Sequence, residues 1–269
     1  MLKINSEKDI NNIAFLYFNE RKTLKEISFM YGVCVNTIKK ILKTYFLEDY
    51  IVASKRNYKN LDLRHNFFEN IDTEEKAYIL GFLLADGNIY EDEHSKRIRF
   101  CIAYQDVNIL YAFKKILRLD SEVRVRKREN RENSQPEALL CWSSSKQYDD
   151  LNKYGITNNK TYSAKLPLKY IDKKVIHHFI RGFFDGDGCI SNIKGGRQAV
   201  SFVGTYELIS ELKFYLCSEL GLFDCKIFGR TKKYTVYQVL WSSKSDIKKL
   251  FDYMYKDATI YLERKYLKF

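Results

Sequence analysis

The hydropathy pattern is dominated by an apolar ten-residue stretch that occurs twice. The first copy is Tyr78-Ile79-Leu80-Gly81-Phe82-Leu83-Leu84-Ala85-Asp86-Gly87, and the second is Phe179-Ile180-Arg181-Gly182-Phe183-Phe184-Asp185-Gly186-Asp187-Gly188. Each carries two small residues four apart and ends in Asp-Gly. Four apart means one face of a helix. Gly81 with Ala85, and Gly182 with Gly186, therefore form two flat stripes on which backbones can approach closely. Thr73 is a candidate N-cap for the first helix, with Asp72 as competitor. Each terminal Asp falls at the C-terminal end of its helix, where the macrodipole disfavours a carboxylate. A charge set against a local rule, twice, points to a functional site. If the helices pack on each other, Asp86 and Asp187 meet, and two unneutralised carboxylates call for a divalent cation.

The pattern downstream repeats as well. Arg97-Ile98-Arg99-Phe100-Cys101-Ile102-Ala103-Tyr104-Gln105 alternates, with Ile98, Phe100, Ile102 and Tyr104 on one face and Arg97, Arg99 and Gln105 on the other. That predicts a strand with one buried and one polar face. Residues 197–203 take the same place after the second stretch. A helix is expected around 106–118 and again around 206–220. Strand pairs are expected around 122–129 with 137–144, and around 224–231 with 234–242. Cys141-Trp142-Ser143-Ser144-Ser145-Lys146 then matches Leu240-Trp241-Ser242-Ser243-Lys244, and a further helix follows each. The fold class is α+β: two αββαββα halves, over 73–160 and 161–269, joined through about 155–176.

Residues 1–50 carry a different pattern. Thr23 and Glu26 form a capping box, Leu24, Ile27 and Met30 keep helical spacing, and Gly32 ends that helix. Val33, Ile38, Ile41 and Leu42 would hold a second helix against it. The module resembles a helix-turn-helix, in which the second helix enters the major groove; Val35, Asn36, Lys39, Lys40 and Lys43 would then face DNA. Residues 51–72, richer in Asn, Lys and Arg, read as a linker.

Composition narrows the partner. The 269 residues carry 46 Lys and Arg against 34 Asp and Glu, a net charge of +12, which favours a polyanion. With 21 Tyr, 18 Phe and 2 Pro, the chain is expected to pack rather than stay disordered. No apolar run reaches the roughly 18 residues needed to span a bilayer, and the first residues lack the apolar core of a signal peptide. The protein is expected inside a cell or organelle matrix. The six cysteines form no CxxC pair and read as reduced thiols. The four histidines form no metal-ligand spacing, and His177-His178 reads as the start of the second motif helix.

The doubled stretch resembles the motif of the LAGLIDADG homing endonucleases, the second copy more closely. The first departs from it with Leu84 where the second has Asp185. Motifs and repeat together cover about 74–269. The resemblance implies saddle-like antiparallel sheets whose ribbons read the major groove, with Arg97, Arg99, Arg124, Arg126 and Arg128 in the first half and Arg197, Arg230 and Lys232 in the second. It also implies that Asp86 and Asp187 bind catalytic metal, Mg²⁺, with the adjoining Gly87 and Gly188 included in the site. A polar residue and a lysine near each centre correspond to Gln105, Lys146 and Lys244; the second half offers Thr205 or Tyr206 in place of the glutamine, and so departs from the pattern. The activity expected is a site-specific double-strand cut by a monomer on a long, near-unique duplex. The alternatives are a DNA-binding regulator or an intron RNA maturase on the same fold. The chain starts at Met1 and lacks a terminal His-Asn, so it reads as free-standing rather than as an intein.

Overall fold

Ser6 starts the first helix: its hydroxyl accepts the Asp9 N–H, and α1 (Glu7–Phe18) follows. The expected capping box is formed: the Thr23 N–H donates to Glu26 Oε2 at 2.7 Å, and the Glu26 N–H donates to Thr23 Oγ1 at 3.1 Å. It opens α2 (Leu24–Tyr31), which ends at Gly32 in the left-handed region, φ +62°, a conformation glycine adopts without strain. The turn leads into α3 (Val35–Tyr45). Ile13, Leu16, Ile27, Ile38 and Leu42 are buried between these helices. Met30, expected inside, is instead exposed, and Ser28, beside Ile27, is buried.

The computed structural model describes residues 6–20, 22–50, 62–93, 95–127, 135–158, 164–193, 196–229 and 236–269. The chain divides into two units, Met1–Leu61 and Asp62–Phe269. The larger contains both halves of the repeat. Of the expected linker, residues 51–61 lie outside the described residues. Residues 62–72 are corrected to part of the larger core: Leu63, Phe67, Phe68 and Ile71 are buried there. Their backbone is tied in too, since the Tyr154 hydroxyl donates to the Phe68 carbonyl at 2.8 Å and the Gln147 amide to the Arg64 carbonyl at 2.8 Å.

Each half has the expected order. In the first, Thr73 caps α4 (Glu74–Asp86), while Asp72 instead pairs with Lys76 at 2.7 Å. The half continues with β1 (Gly87–Glu91), β2 (Lys96–Ala103), α5 (Val107–Leu117), β3 (Arg124–Arg126), β4 (Glu137–Ser143) and α6 (Ser145–Lys153). In the second, α7 (Ile176–Asp187) leads to β5 (Cys189–Ile193), β6 (Arg197–Gly204), α8 (Tyr206–Leu220), β7 (Phe228–Gly229), β8 (Tyr237–Trp241), α9 (Lys244–Tyr255) and a last short helix, α10 (Glu263–Tyr266). Both sheets are antiparallel and four-stranded, in the order β1-β2-β4-β3 and β5-β6-β8-β7. Ile98, Phe100 and Ile102 point into the core, as the alternation requires. Tyr104 is exposed, because the strand ends at Ala103 and the chain turns.

The two motif helices pack at their glycines. A Cβ on Gly81 would overlap the Phe179 carbonyl, and one on Gly182 would overlap the Tyr78 carbonyl. Further along, Gly186 meets Ala85. Contacts therefore progress in the same direction on both helices, which run side by side and end together. Gly182→Ala is expected to lower stability by about 2–3 kcal/mol through overpacking, read as a fall in the urea midpoint; an unchanged midpoint would show that the helices do not meet at this residue.

Candidate active site at the ends of the motif helices

Asp86 is the last residue of α4 and is exposed; Asp187 is the last of α7 and is half-buried. A Cβ built on Gly186 would lie 3.3 Å from Asp86 Oδ2. The charges of Asp86 and Asp187 both act on one ammonium, that of Lys265. The structure thus brings the two carboxylates to one place, as the repeat predicts. Two carboxylates from separate helices are the hard oxygen donors a divalent ion prefers. Among the described residues, no group of three or more His, Cys, Asp or Glu side chains gathers into a metal cage. An ion held by this pair would fill its other positions with water, backbone carbonyls and substrate phosphate, the usual habit of Mg²⁺.

Lys265 also decides what the adjoining glycines can do. Its ammonium is buried and donates to the carbonyls of Phe184 at 2.7 Å, Gly186 at 3.2 Å and Gly188 at 2.6 Å. These carbonyls lie at the C-terminal end of α7, and a cation there complements the dipole. The Gly188 carbonyl, expected in the metal site, thus already accepts from one ammonium and keeps its second lone pair. Gly87 and Gly188 act as C-caps: their N–H groups return to the carbonyls of Leu83 and Phe184. A Cβ on either would overlap that same turn. Burial holds the Lys265 pKa down at about 8, while Asp185, Asp86 and Asp187 pull it up against burial and Arg264.

The neighbouring Arg264 reaches into the first half, donating from Nε and Nη2 to the two oxygens of Asp106, each at 2.7 Å. Such a bidentate pair fixes geometry as well as charge. It secures the 3₁₀ turn Tyr104–Asp106, which presents Gln105, exposed, at the end of β2. The pattern-based reading missed Arg264 and Lys265. They lie in a C-terminal segment with no counterpart in the first half, so the repeat gave no signal for them.

Asp185, two residues before Asp187, has the opposite fate. It is buried and accepts from Tyr78 Oη at 2.7 Å, Tyr255 Oη at 2.9 Å and the Leu262 N–H at 2.8 Å. Burial raises its pKa, with these bonds opposing. Below it, fully buried Arg181 donates to Glu74 at 2.6 Å, to the carbonyls of Met254 and Ile260, and to Nδ1 of His178 at 2.6 Å. Because a guanidinium cannot accept, His178 Nδ1 must be the acceptor, which selects the neutral imidazole. Burial first, then the Arg181 charge, lowers the His178 pKa to about 4.

The expected lysines are elsewhere. β1 leaves Asp86 at Gly87, opposite Phe100, whereas β4 ends at Ser143 opposite Arg97. That is three residues, roughly 10 Å, further along the strands. Lys146 follows this far end, and its ammonium binds Asp150 at 2.6 Å. Lys244 follows β8 in the same sense and lines a cavity with Arg197 and Gln198, at the distal start of β6. Neither lysine therefore stands in its expected place, beside Asp86 or Asp187: the Trp-Ser-Ser runs mark the register of the repeat but lie at the other end of each sheet. Thr205 is spent on capping α8 and on the Ala164 carbonyl, and Tyr206 is exposed.

On the face of the first sheet turned from the core stand Arg97, Arg99, Arg124 and Arg126, by cross-strand register. The guanidinium groups of Arg97 and Arg99 each lie 5.8 Å from the Tyr90 ring centre. Arg197 opens β6 and is exposed; Arg128, Arg230 and Lys232 lie outside the described residues. In the smaller unit, Val35, Asn36, Lys39, Lys40 and Lys43 are all exposed on α3.

Residues 174–255 match a family model described as a LAGLIDADG-like domain. No curated protein sequence matches the chain. Among solved structures, I-DmoI in complex with DNA and Ca is similar at a TM-score of 0.50 and 16% identity, covering 71% of this chain and 94% of that one. The I-SmaMI LAGLIDADG homing endonuclease bound to cleaved DNA gives a TM-score of 0.48 at 14% identity, covering 71% and 86%. The chain has the LAGLIDADG homing endonuclease fold, with paired antiparallel sheets around two central helices.

A depressed histidine pKa contributes stability that is complete above the unfolded value of 6.5 and is lost as pH falls toward about 4. Lowering the pH from 7 to 5 should cost the wild type about 1–2 kcal/mol more than His178→Gln, a melting difference of roughly 3–6 °C. Parallel melting curves for the two proteins would contradict the buried, neutral His178.

Proposed function

We propose that this chain, whose second half is a LAGLIDADG-like domain, is a site-specific endonuclease that cuts both strands of a DNA duplex at one centre. The observation that supports this most is the pair of motif helices ending side by side, with Asp86 and Asp187 at their ends, where the first strand of each sheet begins. A duplex backbone has approximate two-fold symmetry, and a two-fold repeated protein can address both strands from one such point.

The reaction is hydrolysis of a phosphodiester: water attacks phosphorus and the 3′ oxygen leaves. A divalent ion held by Asp86 and Asp187, Mg²⁺, supplies a water of lowered pKa and a counter-charge for the leaving oxygen. The chain's own groups prepare the ground. Lys265 and Arg264 offset part of the negative charge of the two carboxylates, easing the approach of a phosphate. Gln105, exposed at the end of β2, positions the water or the scissile phosphate in the first half by hydrogen bonding. The corresponding place in the second half holds Thr205 and Tyr206 instead of an amide, and the Thr205 hydroxyl is committed to a helix cap. The two strands are therefore cut at unequal rates.

The sheets carry the duplex in its major groove, which admits a β-ribbon. The smaller unit adds DNA contacts through Asn36, Lys39, Lys40 and Lys43 on α3, in the manner of a helix-turn-helix. Together these give a long, near-unique target for a monomer, with strong salt dependence.

Asp86→Asn and Asp187→Asn should each reduce Mg²⁺-dependent double-strand cleavage by roughly a hundredfold or more while leaving duplex binding in Ca²⁺. Double-strand cleavage at the wild-type rate by either variant would refute the assignment.

A further inference from the structure

The groove-facing surfaces of the two sheets are chemically unlike. In the first, cross-strand register places Arg99 beside Asn88 and Cys141, Arg124 beside Leu139, and Arg126 beside Glu137. All are on the face opposite buried Ile98 and Phe100. Arg99 Nε is buried without a hydrogen-bond partner among the described residues, while the side chain as a whole is half-buried. Tyr90 lies beside both Arg97 and Arg99 at cation–π distance, which limits their rotamers. Arg126 is held by Glu137 at 3.1 Å. Arginine binds guanine O6 and N7 bidentately, and a carboxylate accepts from cytosine N4. An Arg126–Glu137 pair suits a G·C pair on both counts.

Among the described residues, the central part of the equivalent face of the second sheet is uncharged. Val203 pairs with Gln238 and Gln238 with Phe228, while Leu240 and Cys189 both stand opposite Ser201. These lie on the face away from Val200, Phe202 and Trp241, which fill the core. Phe228 and Cys189 are exposed; Val203, Gln238 and Leu240 are half-buried. Among the described strand residues of this sheet, the only arginine is Arg197, at the distal start of β6. Apolar side chains complement the thymine methyl, and glutamine binds adenine N6 and N7 bidentately. Such a surface gains little from guanine.

We infer that the target has two chemically distinct half-sites: one rich in G·C pairs beneath the first sheet, one rich in A·T pairs beneath the second. The inference rests on the reading of both sheets as major-groove binders, and adds which bases each prefers. A symmetric or palindromic target is excluded by it.

The test is selection from a randomised duplex library by the full chain in Ca²⁺, followed by sequencing of the bound DNA. Wild-type protein should recover a site with a G·C-rich flank and an A·T-rich flank. Arg99→Ala should lose roughly tenfold preference for guanine at one position in the G·C flank alone. Gln238→Ala should lose a similar preference for adenine in the A·T flank alone. Both substitutions are on the outer face, and retained selection of the opposite flank serves as the control for folding. Flanks of equal composition, or an effect of Arg99→Ala in the A·T flank, would overturn the inference while leaving an endonuclease. Recovery of no preferred duplex would overturn the DNA reading itself, and the inference with it.

Discussion

Gly81 and Gly182 leave room for the carbonyls of Phe179 and Tyr78 where a Cβ would otherwise sit. The backbones of the two motif helices touch there, and much else in the larger unit follows from that contact. It aligns the helices in one direction, so that their C-termini coincide. It lets Tyr78 of one helix reach Asp185 of the other, and Arg181 reach Glu74. These bonds cross between halves inside the core, where an unpaired partner would be costly. The register of the pair is therefore specified by polar bonds as well as by shape, and the spacing of Asp86 from Asp187 inherits that precision.

Two carboxylates two residues apart on α7, and so on opposite sides of it, have been given different tasks by their surroundings. Asp185 is buried and saturated by two hydroxyls and an N–H. Asp187 is half-buried at the helix end, beside the Asp86 carboxylate. The dipole of α7 opposes a negative charge at that end, and Lys265 answers it by capping three carbonyls with its ammonium. Arg264 carries the same short helix to Asp106 in the first half. The C-terminal segment thus works as an electrostatic clasp over the site, and it belongs to one half only. Among the described strand residues the same asymmetry runs through the sheets, with more arginines in the first half than in the second.

Much of this was legible in the chain. The doubled stretch gave the helices and their shared end, because small residues four apart have few other uses when repeated. The alternation of Ile98, Phe100 and Ile102 gave a strand and its buried face. Thr23, Glu26 and Thr73 gave helix starts through capping chemistry alone. The misplacements have physical causes. Leu63, Phe67 and Ile71 are four apart, but the stretch is short and rich in Asn and Arg, and it folds as turns rather than as a helix, so its composition reads as a linker. Lys146 and Lys244 lie in register with each other, but antiparallel pairing carries them to the far end of each sheet. The Gly188 carbonyl accepts from a residue 77 positions later, and no local pattern can announce such a bond.

The claim on which the account rests is that Asp86 and Asp187 hold one ion between them. Iron-mediated affinity cleavage addresses it directly: Fe²⁺ bound in place of Mg²⁺, with added hydrogen peroxide as oxidant and ascorbate to re-reduce the iron, generates hydroxyl radicals that cut the polypeptide nearest the ion. The account predicts two cuts, near Asp86 and near Asp187, both suppressed by excess Mg²⁺ and both lost in Asp86→Asn. A single cut, or cuts near Asp187 that persist in Asp86→Asn, would contradict a shared centre.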